Sequence, residues 1–350
     1  MISTRILGTG SVLPGRAVTT AEVVAMAAPE RDAAALEAKI GIHTRHWAGP
    51  DARVAPIAAE ALRRALAAAG LEAGALRRII LATSTGGDAL VPATANAVAC
   101  ELGLRGSCDA FDVNNACSGF LTAFDLGARS TATGLDVVGV VAVELMSHVI
   151  RQDDPRPFLV FGDAAGAAIL GVGRPDEGVV GVSLGNDGSF GNTAFLTQPR
   201  HAGAIETVTF GISNKAMSDG AVGKIVESTR RVLAEAGETI DDVEWVLPHQ
   251  PNGTMLDGIL AALGVDRARI VPVVQEIGSV ACASIAVSLD RLMRTRPVKP
   301  GDRVLMTGVG SGVSWGAILY RVGGGDGGGG GDGGGGGGGG GDAGARKRRQ

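Results

Sequence analysis

The sequence predicts an α/β protein made of two similar halves, and three observations predict it. Short runs rich in branched residues alternate with stretches whose apolar residues recur at helical spacing, the pattern of sheets covered by helices. Three segments of the first half are echoed, in the same order, in the second. The 350-residue chain is long enough, even without its glycine-rich end, for two packed domains of ordinary size.

"TRILGTGSVL" opens the chain as a strand. "APIAAEALRRALAAAG" has its apolar residues at helical spacing and stops on Gly70. "RRIILATST" and "AFDVNNA" read as strands, "SGFLTAFDLGARSTATG" as an amphipathic helix, and "DVVGVVAVEL" and "FLVFGDAAGAAILGVG" as strands again. In the echoes, "RRIILATSTGG" (77–87) returns as "VEWVLPHQPNG" (243–253), each an apolar strand breaking into a polar turn that ends on glycine. "NNACSGFLTAFDL" returns as "GSVACASIAVSLDRL" (278–292), and "GDAAGAAIL" (162–170) as "GVSWGAIL" (312–319), with glycines four apart in both. The boundary is placed in "GVGRPDEG", giving halves 1–173 and 174–322. Residues 323–350, "GGGDGGGGGDGGGGGGGGGDAGARKRRQ", hold no apolar side chain larger than alanine and cannot offset their ordering entropy. They are expected to be a disordered tail with a basic tip.

A net charge of −4, with no long basic run before the tail, leaves nucleic-acid binding without electrostatic support. "MISTRILGTGSVLPGR" lacks the charged start and long apolar core of a secretory signal, and "VVGVVAVEL" is too short to span a bilayer. Cys100, Cys108, Cys117 and Cys282 form no CxxC pair, so no metal or disulfide framework is expected, and the cytoplasm is the expected location. His43 and His46, three apart, are too few ligands for a metal site. Cys100, Cys108 and Cys282 read as packing residues, and Asp163 in "FGDAAG" as a structural cap on a turn.

Cys117 does not read as packing alone. In "FDVNNACSGF" it stands where a strand hands over to a helix, among unpaired N–H groups at the positive end of the helix dipole; both favour a thiolate. Ala116, Ser118 and Gly119 leave room for a substrate. His249, in "WVLPHQPNG", follows an apolar strand and Pro248, at a strand end where loops build sites. It can hydrogen-bond a thioester oxygen or move protons near neutral pH. The turn "TGVGSGVSWG" (307–316) spaces its glycines closely enough for backbone amides to approach an oxygen.

Cysteine, histidine and glycine turn, in this order, resemble the thiolase-superfamily condensing enzymes. Across nearly all of residues 1–322 the chain is similar to the β-ketoacyl-acyl-carrier-protein synthase III family, through "ILGTGSVLP", "GIHTRH", "FDVNNACSGF", "VFGDAAGAAIL", "DGSFG", "PHQPN" and "SGVSWGAIL". The resemblance implies a thiolase-like fold with two similar halves layered α-β-α-β-α, a homodimer, and no resident cofactor. It implies that Cys117 takes an acyl group from a coenzyme A or acyl-carrier-protein thioester. His249 then donates a hydrogen bond to a malonyl thioester as CO₂ leaves. It further implies an oxyanion hole from the backbone amides of Cys117 and Ser311. Lys224, Asn252 and Gly310 fall along the pantetheine path, and Gln250 and Thr254 fall where a carrier protein docks. Leu90 and Val91 fall where the partner subunit limits the acyl pocket.

The departures are specific. "GSVACAS" (278–284) places Ser279 where the family has an asparagine that shares enolate stabilisation with the histidine. A serine hydroxyl is shorter and offers one donor; losing such a donor costs on the order of 10²–10³ in rate. Thr254 replaces an arginine, Val309 and Gly223 replace phenylalanines, and the tryptophan that stacks on adenine has no counterpart in "AALEAKIGIHTRH". Losing the two phenylalanines suggests a roomier pocket. The expected function is therefore decarboxylative condensation in fatty-acid or secondary-metabolite biosynthesis, by a divergent paralogue. Two other readings fit the same residues: a non-decarboxylating acyltransferase forming an ester, amide or C–C bond, and a non-catalytic partner of a related synthase.

Overall fold

The computed structural model describes residues 1–191, 193–196 and 207–324. β1 (Thr4–Val12) is followed by a small antiparallel ribbon, β2 (Arg16–Thr19) with β3 (Thr44–Trp47), which encloses α1 (Thr20–Ala27) and α2 (Ala33–Ile40). α3 (Val54–Ala69) buries Val54, Ala58, Leu62 and Ala65, one face at helical spacing, and ends on Gly70 at φ 67°, the left-handed cap that glycine adopts without cost. β4 (Arg78–Ala82), α4 (Thr94–Glu101), β5 (Asp109–Val113), α5 (Gly119–Ala132), β6 (Val137–Leu145), α6 (Pro155–Phe158) and β7 (Asp163–Val172) follow. Then come β8 (Gly178–Asn186), β9 (Ala194–Leu196), β10 (Val208–Phe210), α7 (Asn214–Ala236), β11 (Trp245–Pro248) and α8 (Gly253–Leu263). α9 (Val274–Ile277), α10 (Ala283–Thr295), β12 (Arg303–Gly310) and β13 (Ser314–Arg321) complete the described chain.

The first sheet runs β1-β7-β6-β4-β5 and the second β8-β13-β12-β11. Directions match position by position: β7 is antiparallel to β1 and β6, as β13 is to β8 and β12. β4 is parallel to β6, as β11 is to β12. Beside β11 a single parallel bridge, Val246 to Ile270, stands where β5 stands beside β4.

α5 and α10 lie between the two sheets in one shared core. α3 and α4 cover the outer face of the first sheet, α7 and α8 that of the second. The layers are thus α-β-α-β-α, as expected. Phe120 and Phe124 of α5 are fully buried in the middle layer, with ring centroids 5.9 Å apart, and Phe124 meets Tyr320 edge-on. Burying one such side chain contributes about 1.5–3 kcal/mol. These rings fix the helix that begins just after Cys117. From residue 325 the glycine-rich tail lies outside the described residues. No helix among the described residues is long and apolar enough to cross a membrane.

Candidate active site

Beyond Val113 the chain turns sharply. Asn114 accepts from Ala116 N at 3.1 Å, Asn115 donates to Thr122 Oγ1 at 2.8 Å, and Ala116 adopts φ 46°. A left-handed non-glycine residue costs about 1–2 kcal/mol, which the surrounding bonds must hold in place. The turn delivers Cys117, half-buried, just ahead of α5. Around it stand Met146, Val149, Phe161 and Ala281, an apolar cluster against which Cys117 packs.

β12 joins Cys117 to His249. A Cβ on Gly310 would stand 2.9 Å from Cys117 N and 3.0 Å from Ser118 N, so only glycine lets the strand lie against this turn. On the same face, a Cβ on Gly308 would stand 3.3 Å from His249 Cβ. Residues two apart on a strand face one side about 6.6 Å apart, so the thiol turn and the imidazole stem flank one short strip. His249 continues β11, its N–H bonded to Thr307 O at 2.8 Å, and it is 3 % exposed. Its Nδ1 has no hydrogen-bond partner among the described residues. Burial alone lowers its pKa to about 4, so the ring is neutral at pH 7, with one donor and one acceptor.

Ser279 arrives from the α10 side. It follows Gly278 at φ 71°, donates its N–H to Val160 O at 2.8 Å and accepts from Gly162 N at 2.9 Å. That bridge places it beside Phe161, a member of the Cys117 cluster. Ser311 follows β12 and donates its hydroxyl to Ala194 O. Lys224 holds its ammonium 4.2 Å from the Trp315 ring centroid and bonds Glu227 at 2.9 Å. Asn252 caps α8, its Oδ1 accepting from Met255 N at 2.8 Å.

Several expectations are corrected. The helix start was expected to favour a thiolate at Cys117. Burial first, and the Glu144 carboxylate second, instead push the thiol up to about 12, and backbone N–H bonding offsets only part of this. Gln250 cannot meet a carrier protein, because it is fully buried. Its amide donates to Val271 O at 2.9 Å and Ser288 Oγ at 3.1 Å, and its oxygen accepts from Val273 N and Val274 N. It ties the strand end to the segment before α9. Thr254 is exposed, its hydroxyl bonded to Lys39 O. Leu90 and Val91 are 70 % and 86 % exposed. Val309 packs in the outer cluster under α7, and Gly223 has nothing within 4 Å of where a Cβ would stand. Neither residue belongs to the apolar cluster against which Cys117 packs. Cys282 is buried as expected, but Cys100 is exposed. Asp163 is the structural cap expected, accepting from Ala48 N and Ser147 N at 2.8 Å each.

Glu144 was not anticipated. It is fully buried near the end of β6 and accepts from Ser84 N at 3.0 Å, Ser84 Oγ at 2.7 Å and Cys282 N at 3.4 Å. Burial raises its pKa. It thereby ties the turn after β4 to the turn before α10, where Ala281 has φ 40° much as Ala116 does before Cys117. Its signal was a lone carboxylate inside the apolar run "VVGVVAVEL".

Two family models match the chain. One, described as 3-oxoacyl-[acyl-carrier-protein (ACP)] synthase III, matches residues 111–188; its C-terminal counterpart matches residues 233–322. The β-ketoacyl-[acyl-carrier-protein] synthase III of Hyphomonas neptunium is 36% identical over 325 residues, covering 91% of this chain and 98% of its own. The crystal structure of 3-oxoacyl-(acyl carrier protein) synthase III from Pseudomonas aeruginosa superposes with a TM-score of 0.83 at 31% identity, over 92% of this chain and 98% of that one. A priming β-ketosynthase from a polyketide biosynthetic pathway gives a TM-score of 0.84 at 30% identity, over 92% and 96%. The chain therefore belongs to the 3-oxoacyl-[acyl-carrier-protein] synthase III family of condensing acyltransferases.

Proposed function

We propose that Cys117 carries an acyl group and that the protein condenses it with a malonyl thioester, releasing CO₂ and a 3-oxoacyl thioester. The observation that carries this reading is the shared strip of β12, which holds the Cys117 amide and the His249 stem side by side. In the first step Cys117 Sγ attacks the donor thioester carbonyl. Its proton passes through His249 to the departing coenzyme A or carrier thiol, and the backbone N–H groups of Cys117 and Ser311 face the oxyanion. In the second, the malonyl group loses CO₂. The resulting enolate carbon attacks the acyl carbonyl and expels the Cys117 thiolate. Neutral His249 donates its N–H to the enolate oxygen, and Ser279 assists with its hydroxyl. Both substrates are thioesters, and no step requires a resident cofactor.

Lys224, Asn252 and Gly310 border the pantetheine path, and Thr254 lies on the face offered to a carrier protein. A second copy pairs along β5 and brings Leu90 and Val91 to the partner's site. Free cysteines support a cytoplasmic setting. The match to a polyketide priming enzyme supports a specialised pathway as well as fatty-acid synthesis. The test is incubation with a panel of acyl-CoAs and a malonyl thioester, reading Cys117 adducts by intact mass, CO₂ release and product. Stoichiometric acylation with CO₂ release is expected. Acylation without CO₂ from any donor would count against condensation, and a product carrying the intact acyl group would then identify acyl transfer; stoichiometric acylation rules out a non-catalytic partner.

A further inference from the structure

Cys117 packs against an apolar cluster in which Phe161 is the largest buried residue. Phe210 of β10 stacks on it, with centroids 6.1 Å apart and planes at 28°. The Phe210 ring also carries the guanidinium of Arg156, 5.1 Å from the ring centroid. Arg156 grips the backbone of the same segment, with Nη1 donating to Phe210 O at 3.4 Å and Nη2 to Ile212 O at 3.0 Å. The guanidinium is set from a short rigid base: α6 places Pro155 and Pro157 on either side of it, and Asp154 accepts from Arg156 N at 3.3 Å.

Among the described residues, β10 pairs with β9 in a two-stranded ribbon, with one further bond from Val208 N to Val149 O at 2.9 Å. A two-stranded ribbon is marginally stable by itself, so the position of Phe210 depends on what grips it from outside the ribbon. Cys117 and Phe210 pack against the same apolar cluster, so a long acyl chain on Cys117 would have to displace it. Neither Val309 nor Gly223 belongs to this cluster.

Resting on the acyl-Cys117 reading above, we propose that Arg156 is a specificity-determining residue. It holds Phe210 against Phe161, keeps the apolar cluster beside Cys117 closed, and so selects short-chain acyl groups.

The test probes the cluster without requiring activity. Methyl, hexyl and dodecyl methanethiosulfonates are offered to the protein. The Cys117 thiolate attacks the sulfenyl sulfur, the alkylthio group stays as a mixed disulfide, and methanesulfinate leaves. Peptide mass mapping separates Cys117 from the other cysteines. Wild-type protein is expected to label with the methyl reagent faster than with the dodecyl reagent. Arg156→Ala and Phe210→Ala should each raise the dodecyl-to-methyl ratio by about tenfold, the factor set by a desolvated cation–π contact with its hydrogen bonds. Arg156→Lys should fall between. An acyl-CoA panel run alongside separates the two ideas: if no acyl-CoA loads Cys117 the acyl reading fails, while the labelling ratio still judges the clamp. An unchanged ratio in folded Arg156→Ala overturns the proposal, as does wild-type protein that takes the dodecyl group as readily as the methyl. Should Arg156→Ala fail to fold, an unchanged ratio in Phe210→Ala overturns it equally.

Discussion

At the residue scale, a thiol near pKa 12 beside an imidazole near pKa 4 is a neutral pair, and each proton must move during the reaction rather than before it. The direction of the pH effect follows. A thiol whose pKa is raised gains thiolate tenfold per pH unit until the pH reaches that pKa. Alkylation of Cys117 by iodoacetamide should therefore keep rising between pH 7 and pH 10, with no plateau near neutrality. A plateau there would mean a resting ion pair. His249, whose pKa is lowered, stays neutral until the pH falls toward about 4, so acyl loading should show no inflection near the ordinary histidine value of 6.5. A log rate of acyl loading against pH, measured with and without His249→Gln, checks this. Ser279 offers a second prediction. It sits beside Phe161 with a short hydroxyl where an amide would reach further. Ser279→Asn should speed condensation by up to about 10²-fold while leaving Cys117 loading unchanged, measured as CO₂ release against burst acylation. Loss of both rates would remove Ser279 from the reacting groups.

At the scale of elements, β12 is the part on which the site depends most. Gly310→Ala would drive a methyl group to 2.9 Å from Cys117 N, and backbone there cannot swing aside as a side chain can. Displacing the thiol turn by a fraction of an ångström to 1 Å should slow acyl loading by about 10²-fold, with the melting temperature moving far less. Single-turnover loading and calorimetry on the same sample decide it. Elements whose rule is local were legible beforehand. The Cys117 turn follows from a strand meeting a helix, His249 from a strand running into Pro248, and the echoed segments correspond to β4 with β11, α5 with α10 and β7 with β13. What depended on distant partners was not legible. Gln250 looked like an exposed loop residue, because the groups that bury it, Val271, Val273, Val274 and Ser288, come from later segments. The thiol was misjudged for the same reason: its dipole could be read from neighbours in sequence, but the desolvation and the Glu144 carboxylate that outweigh it come from the fold. Arg156 and Phe210 lie far apart in sequence and belong to no repeated segment, so nothing linked them until they were seen in contact.

At the scale of the whole molecule, the first sheet ends at an edge with no further strand beside it among the described residues. β5 is its last strand, and Ala110, Phe111, Asp112 and Val113 are only half-buried. An edge of unpaired N–H and C=O groups carrying apolar side chains invites another strand. The loop before α4 adjoins this edge, because Asp112 accepts from Thr94 N at 2.7 Å and Ala95 N at 2.8 Å. Leu90 and Val91 in that loop are the most exposed large hydrophobic residues described in the chain. Edge and loop therefore lie next to each other. A twofold axis at β5 would pair the strand with its own copy, joining two sheets into one and covering both loops at once, as a self-complementary interface requires. An interface of this kind buries at least about 1,000 Å² in total. The protein is then expected to sediment as two chains at micromolar concentration. Phe111→Arg, which sets like charges opposite one another across the axis, should shift it to one chain. If Leu90 and Val91 complete the neighbouring site, Val91→Asp should slow Cys117 loading even where it leaves the dimer assembled. Sedimentation velocity and acyl loading measured together separate these effects. A monomeric wild-type protein that loads Cys117 at full rate would show that each chain builds its site alone.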